Sequence, residues 1–169
     1  PDDIMSGGAP EGPVVLFDDD HYYMGGLIAE QLRTAGYDVT LVTPAPQVSA
    51  WTVDTLEQHA IQSSLLALGL GIVTAQDIAG IGDGVATLRC VYSGETQQIA
   101  FGTFIPVTMR MPRDDLARAL NKHDNAPPHT VIGDALAPGT IAAAVHGGHQ
   151  FAREFGELPA EGVPFRREL

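Results

Sequence analysis

The chain has 169 residues, 44% of them apolar and 18% charged, which suits one domain or one and a fraction and argues against wholesale disorder. Nine Lys and Arg stand against 21 Asp and Glu, a formal charge of −12, which excludes a generic nucleic-acid binder and disfavours anionic membranes. No apolar run approaches the roughly 20 residues of a membrane span, and a lone cysteine, Cys90, excludes an intrachain disulfide or a cysteine-based zinc or iron–sulfur site.

The opening Pro1-Asp2-Asp3-Ile4 is acidic where a signal peptide is basic, so a cytoplasmic protein is expected. Residues 1–12 have a linker's Gly/Pro-rich composition. With no initiator Met, the chain reads as a piece of something longer. Val14 to Phe17 is a short β-branched run bounded by Pro13 and Asp18, the pattern of a strand buried on both faces. Tyr22 to Ala35 predicts a helix with Met24, Leu27, Ile28, Leu32 and Ala35 on one face, stopped by Gly36. Val39 to Val42 is a second strand. Strand, helix and strand in so short a span predict a right-handed βαβ unit and a parallel sheet.

A second helix is expected from about Val53 to Leu68, with Leu56, Ala60, Ile61, Leu65 and Leu68 as its stripe and Gly69 as its end. Ile72-Val73 reads as a third parallel strand. Residues 76–80, 85–92 and 97–101 then read as a β-meander with turns at Gly82-Asp83-Gly84 and Ser93-Gly94. Phe104 to Val107 suits another strand, Asp114 to Leu120 a short helix, Thr130-Val131-Ile132 a strand, and Thr140 to Phe155 the last helix. The tail from Leu158 to Leu169 is expected to be irregular. The resulting fold class is α/β: a Rossmann-like three-layer domain with a parallel sheet and an added β-meander.

The first strand-to-helix turn is informative. A dinucleotide-binding turn carries G-x-G-x-x-G there, so that the backbone approaches a pyrophosphate on the helix N-terminus. Here those positions fall on Asp20, Tyr22 and Gly25, and only the third is glycine. Tyr22 fills phosphate space, and Asp18, Asp19 and Asp20 would repel its charge. The acid expected after the second strand is replaced by Val42-Thr43-Pro44. This predicts a dinucleotide-binding scaffold with a closed cofactor site. The plainer reading has the carboxylates capping helix amides.

The second informative place is Thr130 to Gly139, followed by the small-residue helix Thr140 to His149. Gly133-Asp134 before a helix N-terminus places a carboxylate near a sugar hydroxyl and free amides near a phosphate. A plain strand–turn–helix with an Asx turn explains the pattern too.

Together these segments resemble a family. Pyridine nucleotide-disulfide reductase-like flavoenzymes end their FAD-binding domain with such an Ile-Gly-Asp segment, and an NAD-type domain is inserted in it. The nearer resemblance is to the C-terminal part of trimethylamine dehydrogenase and its relatives. These are the dimethylamine and histamine dehydrogenases, dimethylglycine-demethylation flavoproteins and, more distantly, 2,4-dienoyl-CoA reductase among the old yellow enzyme-related NADH:flavin oxidoreductases. It rests on Val14 to Met24, on Ala29-Glu30, Leu32 and Ala35-Gly36, on Thr55-Leu56-Glu57, and on Ile132 to Pro138. It continues through Gly148-His149 with Ala152-Arg153-Glu154 and closes at Pro164 to Glu168, covering roughly residues 13–168. One departure is Met109 in Thr108-Met109-Arg110, where the superfamily has glycine.

The resemblance implies a domain layout: 1–12 linker, 13–112 NAD-type inserted domain, 113–155 return segment of the FAD/ADP-binding domain, and 156–169 tail. It implies cofactor-binding roles for Gly133, Asp134, Thr140 and Ile141, with no catalytic residue and no metal ligand in this piece. It implies FAD or ADP in the full-length enzyme, with FMN and an iron–sulfur cluster upstream, and none bound to the isolated, inactive chain. The implied partners are the upstream barrel and FAD domain, with an electron-transfer partner and a domain-swapped homo-oligomer left open. The implied function is a structural, nucleotide-binding-fold fragment of a flavin-dependent oxidoreductase for small N-methylated amines. A non-catalytic docking subunit and part of an enoyl-thioester reductase are the alternatives.

The remaining candidates have bland readings. His146 and His149 are spaced for metal but lack a third ligand, so helix packing is expected. Asp18 to His21 lacks the alternating ligands of a calcium loop. Cys90 reads as a core thiol beside Leu88 and Tyr92. Tyr22, Tyr23 and Trp51 read as packing rather than an electron-transfer surface. Arg166 and Arg167 are expected to pair with carboxylates of a neighbouring domain.

Overall fold

The computed structural model describes residues 1–156, so the expected irregular tail from Leu158, with Arg166 and Arg167, lies outside the described residues. The chain divides into two compact units, Pro1–Met109 and Arg110–Leu169.

In the first unit a four-stranded parallel sheet runs in the order β3-β2-β1-β7, from β1 (Val14–Asp18), β2 (Val39–Val42), β3 (Gly71–Val73) and β7 (Thr103–Val107). An antiparallel sheet, β4 (Gln76–Gly82), β5 (Val85–Cys90) and β6 (Thr96–Ala100), forms the meander. The period of two in a strand decides which residue meets which layer. Val14 and Leu16 of β1, Val39 and Leu41 of β2, and Ile105 and Val107 of β7 join the core with helix α2 (Met24–Thr34) and helix α3 (Gln58–Ala67). Val15, Phe17, Val42 and Phe104 turn the other way, onto Ala86 and Leu88 of β5. Helices, parallel sheet and meander are thus the three layers expected from the sequence.

Helices α2 and α3 both stop where glycine allows a left-handed residue. Gly36 (φ +94°) follows α2 and Gly69 (φ +69°) follows α3. The amides of Tyr37 and Leu70 reach back to the carbonyls of Leu32 and Leu65. At the end of the meander, a side chain on Gly102 would run into the carbonyl of Glu11. Thr103 Oγ1 fastens that crossing by accepting from Glu11 N (2.8 Å) and donating to Glu11 O (2.9 Å).

Several expectations are corrected. Residues 1–12 are not featureless: helix α1 (Asp2–Met5) buries Ile4 against the helix-side core. The second helix begins at Gln58, not Val53. A 3-10 turn (Ala50–Val53) precedes it, and Leu56 sits at φ +64° and is 91% exposed, so it is not part of the helix stripe. Of that stripe only Leu65 is fully buried, because just one edge of α3 meets the core.

The second unit contains α4 (Asp115–Leu120), a 3-10 turn (Gly133–Ala135) and α5 (Ile141–Glu154). Thr130-Val131-Ile132, expected as a strand, is not one. Ile132 is extended (φ −138°, ψ 167°), but this unit has no strand among its described residues, and a strand exists only with a ladder partner. No described helix is long and apolar enough to cross a membrane.

Candidate functional site

The sheet order makes the carboxyl ends of β1 and β7 a topological switch point, the crevice where open α/β sheets bind ligands. The turn from β1 into α2 fills it. Asp18, the last residue of β1, is 0% exposed. Its Oδ1 accepts from His21 N (3.3 Å), and its Oδ2 has no hydrogen-bond partner among the described residues. A Cβ on Gly25 would lie 2.5 Å from Asp18 Cγ. Glycine is therefore required at position 25 so that the helix can pass over the carboxyl group. Burial pushes the Asp18 carboxyl up to about 6, against the opposing pull of the His21 amide and ring, while Asp20 adds to the rise.

The rest of the turn is held by backbone and rings. His21 has φ +59°, its carbonyl accepts from Trp51 N (3.0 Å), and its ring meets Trp51 edge-on at 5.6 Å. Asp19 N donates to Val107 O (2.9 Å), and the Asp19 carboxylate lies 3.4 Å from His21 Nε2. Tyr22 packs edge-on against Tyr23 at 4.4 Å. The Tyr23 hydroxyl donates to Glu57 and lies 3.1 Å from Thr55 Oγ1. That bond to Glu57 raises the tyrosine's pKa and lowers the carboxylate's. Asp20 does not cap α2: the N-cap residue is Tyr23, and no side chain there accepts from the helix amides. The capping expectation fails because Asp18 turns inward and the strained His21 carries the chain past Asp20.

After β2, the position expected to hold a ribose-binding acid carries a buried Thr43, whose Oγ1 accepts from Ala45 N (3.2 Å). Cys90 is not a mid-strand core thiol. It ends β5, is half-buried, and has its pKa lowered by Ser93. Tyr92, beyond the strand's last residue, loses the alternation and is exposed.

In the second unit the residues singled out by sequence lie on two adjacent elements. The 3-10 turn with Gly133 (φ +60°) and Asp134 packs on α5. Thr140 is the N-cap of α5, its Oγ1 accepting from Ala143 N (3.3 Å). Asp134 and Ile141 are exposed. His146 and His149 are exposed on α5, and the described residues hold no group of three His, Cys, Asp or Glu that could bind a metal. Sequence reasoning missed the burial of Asp18 and the passage of Gly25 over it. The signal was the Gly25-Gly26 pair inside an otherwise good helix.

This is a Rossmann-like α/β fold, a parallel four-strand sheet with a separate antiparallel three-strand sheet. Its homologues are dimethylamine and histamine dehydrogenases, of the trimethylamine dehydrogenase-like family. Dimethylamine dehydrogenase from Hyphomicrobium sp. (strain x) is 27% identical over 195 residues, covering 99% of this chain and 26% of the relative. The structure of histamine dehydrogenase from Rhizobium sp. 4-9 matches with a TM-score of 0.87 and 40% identity, over 100% of this chain and 26% of that one. The 6-hydroxypseudooxynicotine amine oxidase from Pseudomonas geniculata N1 matches with a TM-score of 0.81 and 34% identity, over 92% of this chain and 24% of that one. The chain thus spans about a quarter of the length of these relatives. No family model matches it.

Proposed function

We propose that this chain is the nucleotide-binding-fold region of a cytoplasmic, flavin-dependent oxidoreductase acting on small N-methylated amines, and that its own NAD-type site is closed. The observation that carries the reading is the match, at 40% identity over 100% of this chain and 26% of the relative, to a histamine dehydrogenase. The names of the relatives supply the amine, and dimethylamine dehydrogenase favours its N-methylated form.

The closed site is supported by the β1–α2 turn. A pyrophosphate there needs room against the backbone and exposed amides. In this chain Asp18 takes the space beneath Gly25, and Asp19 and Asp20 set negative charge at the entrance. A dinucleotide does not fit those residues.

FAD or ADP does fit the second unit's donor set. Thr140 satisfies the Ala143 amide, and the amides of Ile141 and Ala142, without a partner among the described residues, are available as donors for phosphate. Asp134 offers a carboxylate acceptor for a hydroxyl, and Gly133 keeps that turn free of a side chain. A bound flavin in the whole enzyme supplies the electron acceptor for amine oxidation. This region's residues bind and position, and FMN and an iron–sulfur cluster belong to other domains. The test is anaerobic titration of the full-length enzyme with dimethylamine and trimethylamine, following flavin absorbance. Bleaching by these amines at stoichiometric amounts is expected. Bleaching by an enoyl thioester's reductant, NADH, with none by any amine, overturns the reading.

A further inference from the structure

The first unit is far more acidic than the second. Residues 1–109 hold thirteen Asp and Glu against two Arg and no Lys, so −11 of the chain's −12 resides there. Both arginines are engaged within the unit. Arg33 donates to the carbonyls of Leu68 and Tyr37, and Arg89 pairs with Asp77 at 3.0 Å.

On this unit, α2 and α3 flank an open groove of about 190 Å³. Gly26 contributes no side chain to it. Leu27, Ala60 and Ile61 give it apolar walls, and Glu30 stands on its rim. Leu27 is 55% exposed although the neighbouring Ile28 is fully buried, so α2 presents an apolar residue to solvent beside the groove. Tyr23, a further wall residue, holds Glu57 near that rim through its hydroxyl. The space suits one aliphatic or aromatic side chain, the kind of anchor that dominates protein interfaces.

We propose that this groove seats one apolar side chain of a positively charged protein partner whose Lys or Arg residues face Glu30 and Glu57. The inference goes beyond the amine-oxidoreductase reading and does not depend on it. A second copy of this chain is the poorer occupant, since it would bring another strongly acidic unit against the first. A basic partner gains both steering and a desolvated anchor.

The probe is a labelled 16-residue Lys/Ala helical peptide carrying one central Phe, compared with the same peptide carrying Ala there. Binding to the full chain is read by fluorescence anisotropy at low and high salt. The Phe peptide is expected to bind at least about tenfold more tightly than its Ala counterpart, about 1.4 kcal/mol. Ala60→Trp, which fills the groove from an exposed position, should abolish that preference while leaving the salt-dependent part. Glu30→Gln with Glu57→Gln should weaken both peptides, whereas Asp83→Asn with Glu95→Gln, remote from the groove, should change them less than about twofold. No Phe preference, a preference that survives Ala60→Trp, or equal effects of the two acidic pairs overturns the proposal. So does a chain whose sedimentation shows a dimer that Ala60→Trp dissolves, which assigns the groove to a second copy.

Discussion

Asp18 and Gly25 share one space at the mouth of the parallel sheet: a side chain of any size at position 25 would meet the buried carboxyl at 2.5 Å. Strand β1 ends in an acid facing inward, and helix α2 begins with a glycine that lets it pass over that acid. Inserting a methyl group into a space already full costs about 1–3 kcal/mol. The better helix propensity of alanine returns at most about 1 kcal/mol. Gly25→Ala should therefore lower stability. Gly26→Ala should be close to neutral, because its Cβ would lie 3.4 Å from Ile61 and Ser49. Chemical denaturation of both variants checks this. Equal midpoints, or a Gly25→Ala penalty unchanged in an Asp18→Gly background, which also removes the Cβ at 2.8 Å, would mean that the two residues do not compete.

The same carboxyl ties stability to pH. Asp18 rises from 3.8 to about 6, chiefly through burial, so the folded chain holds a proton that the unfolded chain gives up. The folded state is favoured most when the group is protonated in both states, below about pH 4. That advantage is lost as pH rises through about 6, for a total on the order of 3 kcal/mol. Asp18→Asn should remove this component. The variant's stability relative to the natural chain should grow between pH 4 and pH 7 and then level off. A constant difference across that range, measured by urea denaturation, would place the Asp18 carboxyl in an ordinary environment.

Calorimetry with NADH should show no binding tighter than millimolar at the β1–α2 turn. The anionic pyrophosphate would meet Asp19 and Asp20, and the buried Asp18 already fills the space beneath Gly25. A dissociation constant in the micromolar range, about −8 kcal/mol, contradicts a closed site. So does pyrophosphate found on the amides that follow Asp20.

The second unit should exchange its amides faster than the first. Helix α5 buries no residue, whereas every residue of β1 is buried. Protection in native proteins follows burial and local contacts. Hydrogen exchange should show Val14–Val42 protected and Ile141–Glu154 weakly so. Equal protection of the two segments in a monomer would show that α5 is anchored as firmly as the parallel sheet.

Strands β1 and β2 were legible because a run of Val, Leu and Phe between Pro13 and Asp18 has few ways to fold other than as a two-sided strand. Gly36 and Gly69 marked helix ends because only they tolerate the left-handed residue there. Leu56 misled because apolar spacing says nothing of φ. It satisfies the helical period yet belongs to a loop. Thr130 to Ile132 misled in the opposite way, since β propensity without a ladder partner leaves an extended segment and no strand. By sequence, Asp18 is one of three equivalent carboxylates facing the cofactor site or capping α2. Which of three adjacent acids turns inward is set by the packing of α2 and β7: the Gly25-Gly26 pair of α2 is a local sign of it, whereas β7 lies far from the turn in sequence.

The assignment of Asp134 is tested in the full-length enzyme. Its carboxylate is exposed, on a 3-10 turn that packs against α5, whose Ile141 and Ala142 amides have no partner among the described residues. A charged acceptor bonding a buried hydroxyl contributes about 1.5–3 kcal/mol, and helix amides add a smaller attraction for phosphate. One wall alone supplies less than the ordering cost of a nucleotide, so the isolated chain should bind neither FAD nor ADP measurably. In the full-length enzyme, Asp134→Ala should weaken FAD or ADP by at least about tenfold, since 1.4 kcal/mol is one decade. Asp134→Asn should lose less, because its amide oxygen can still accept. Nucleotide content after dialysis and the dissociation constant by fluorescence both report on this. If the alanine variant retains its nucleotide with unchanged affinity, Asp134 has no part in binding it, and the turn before α5 serves only to place the helix.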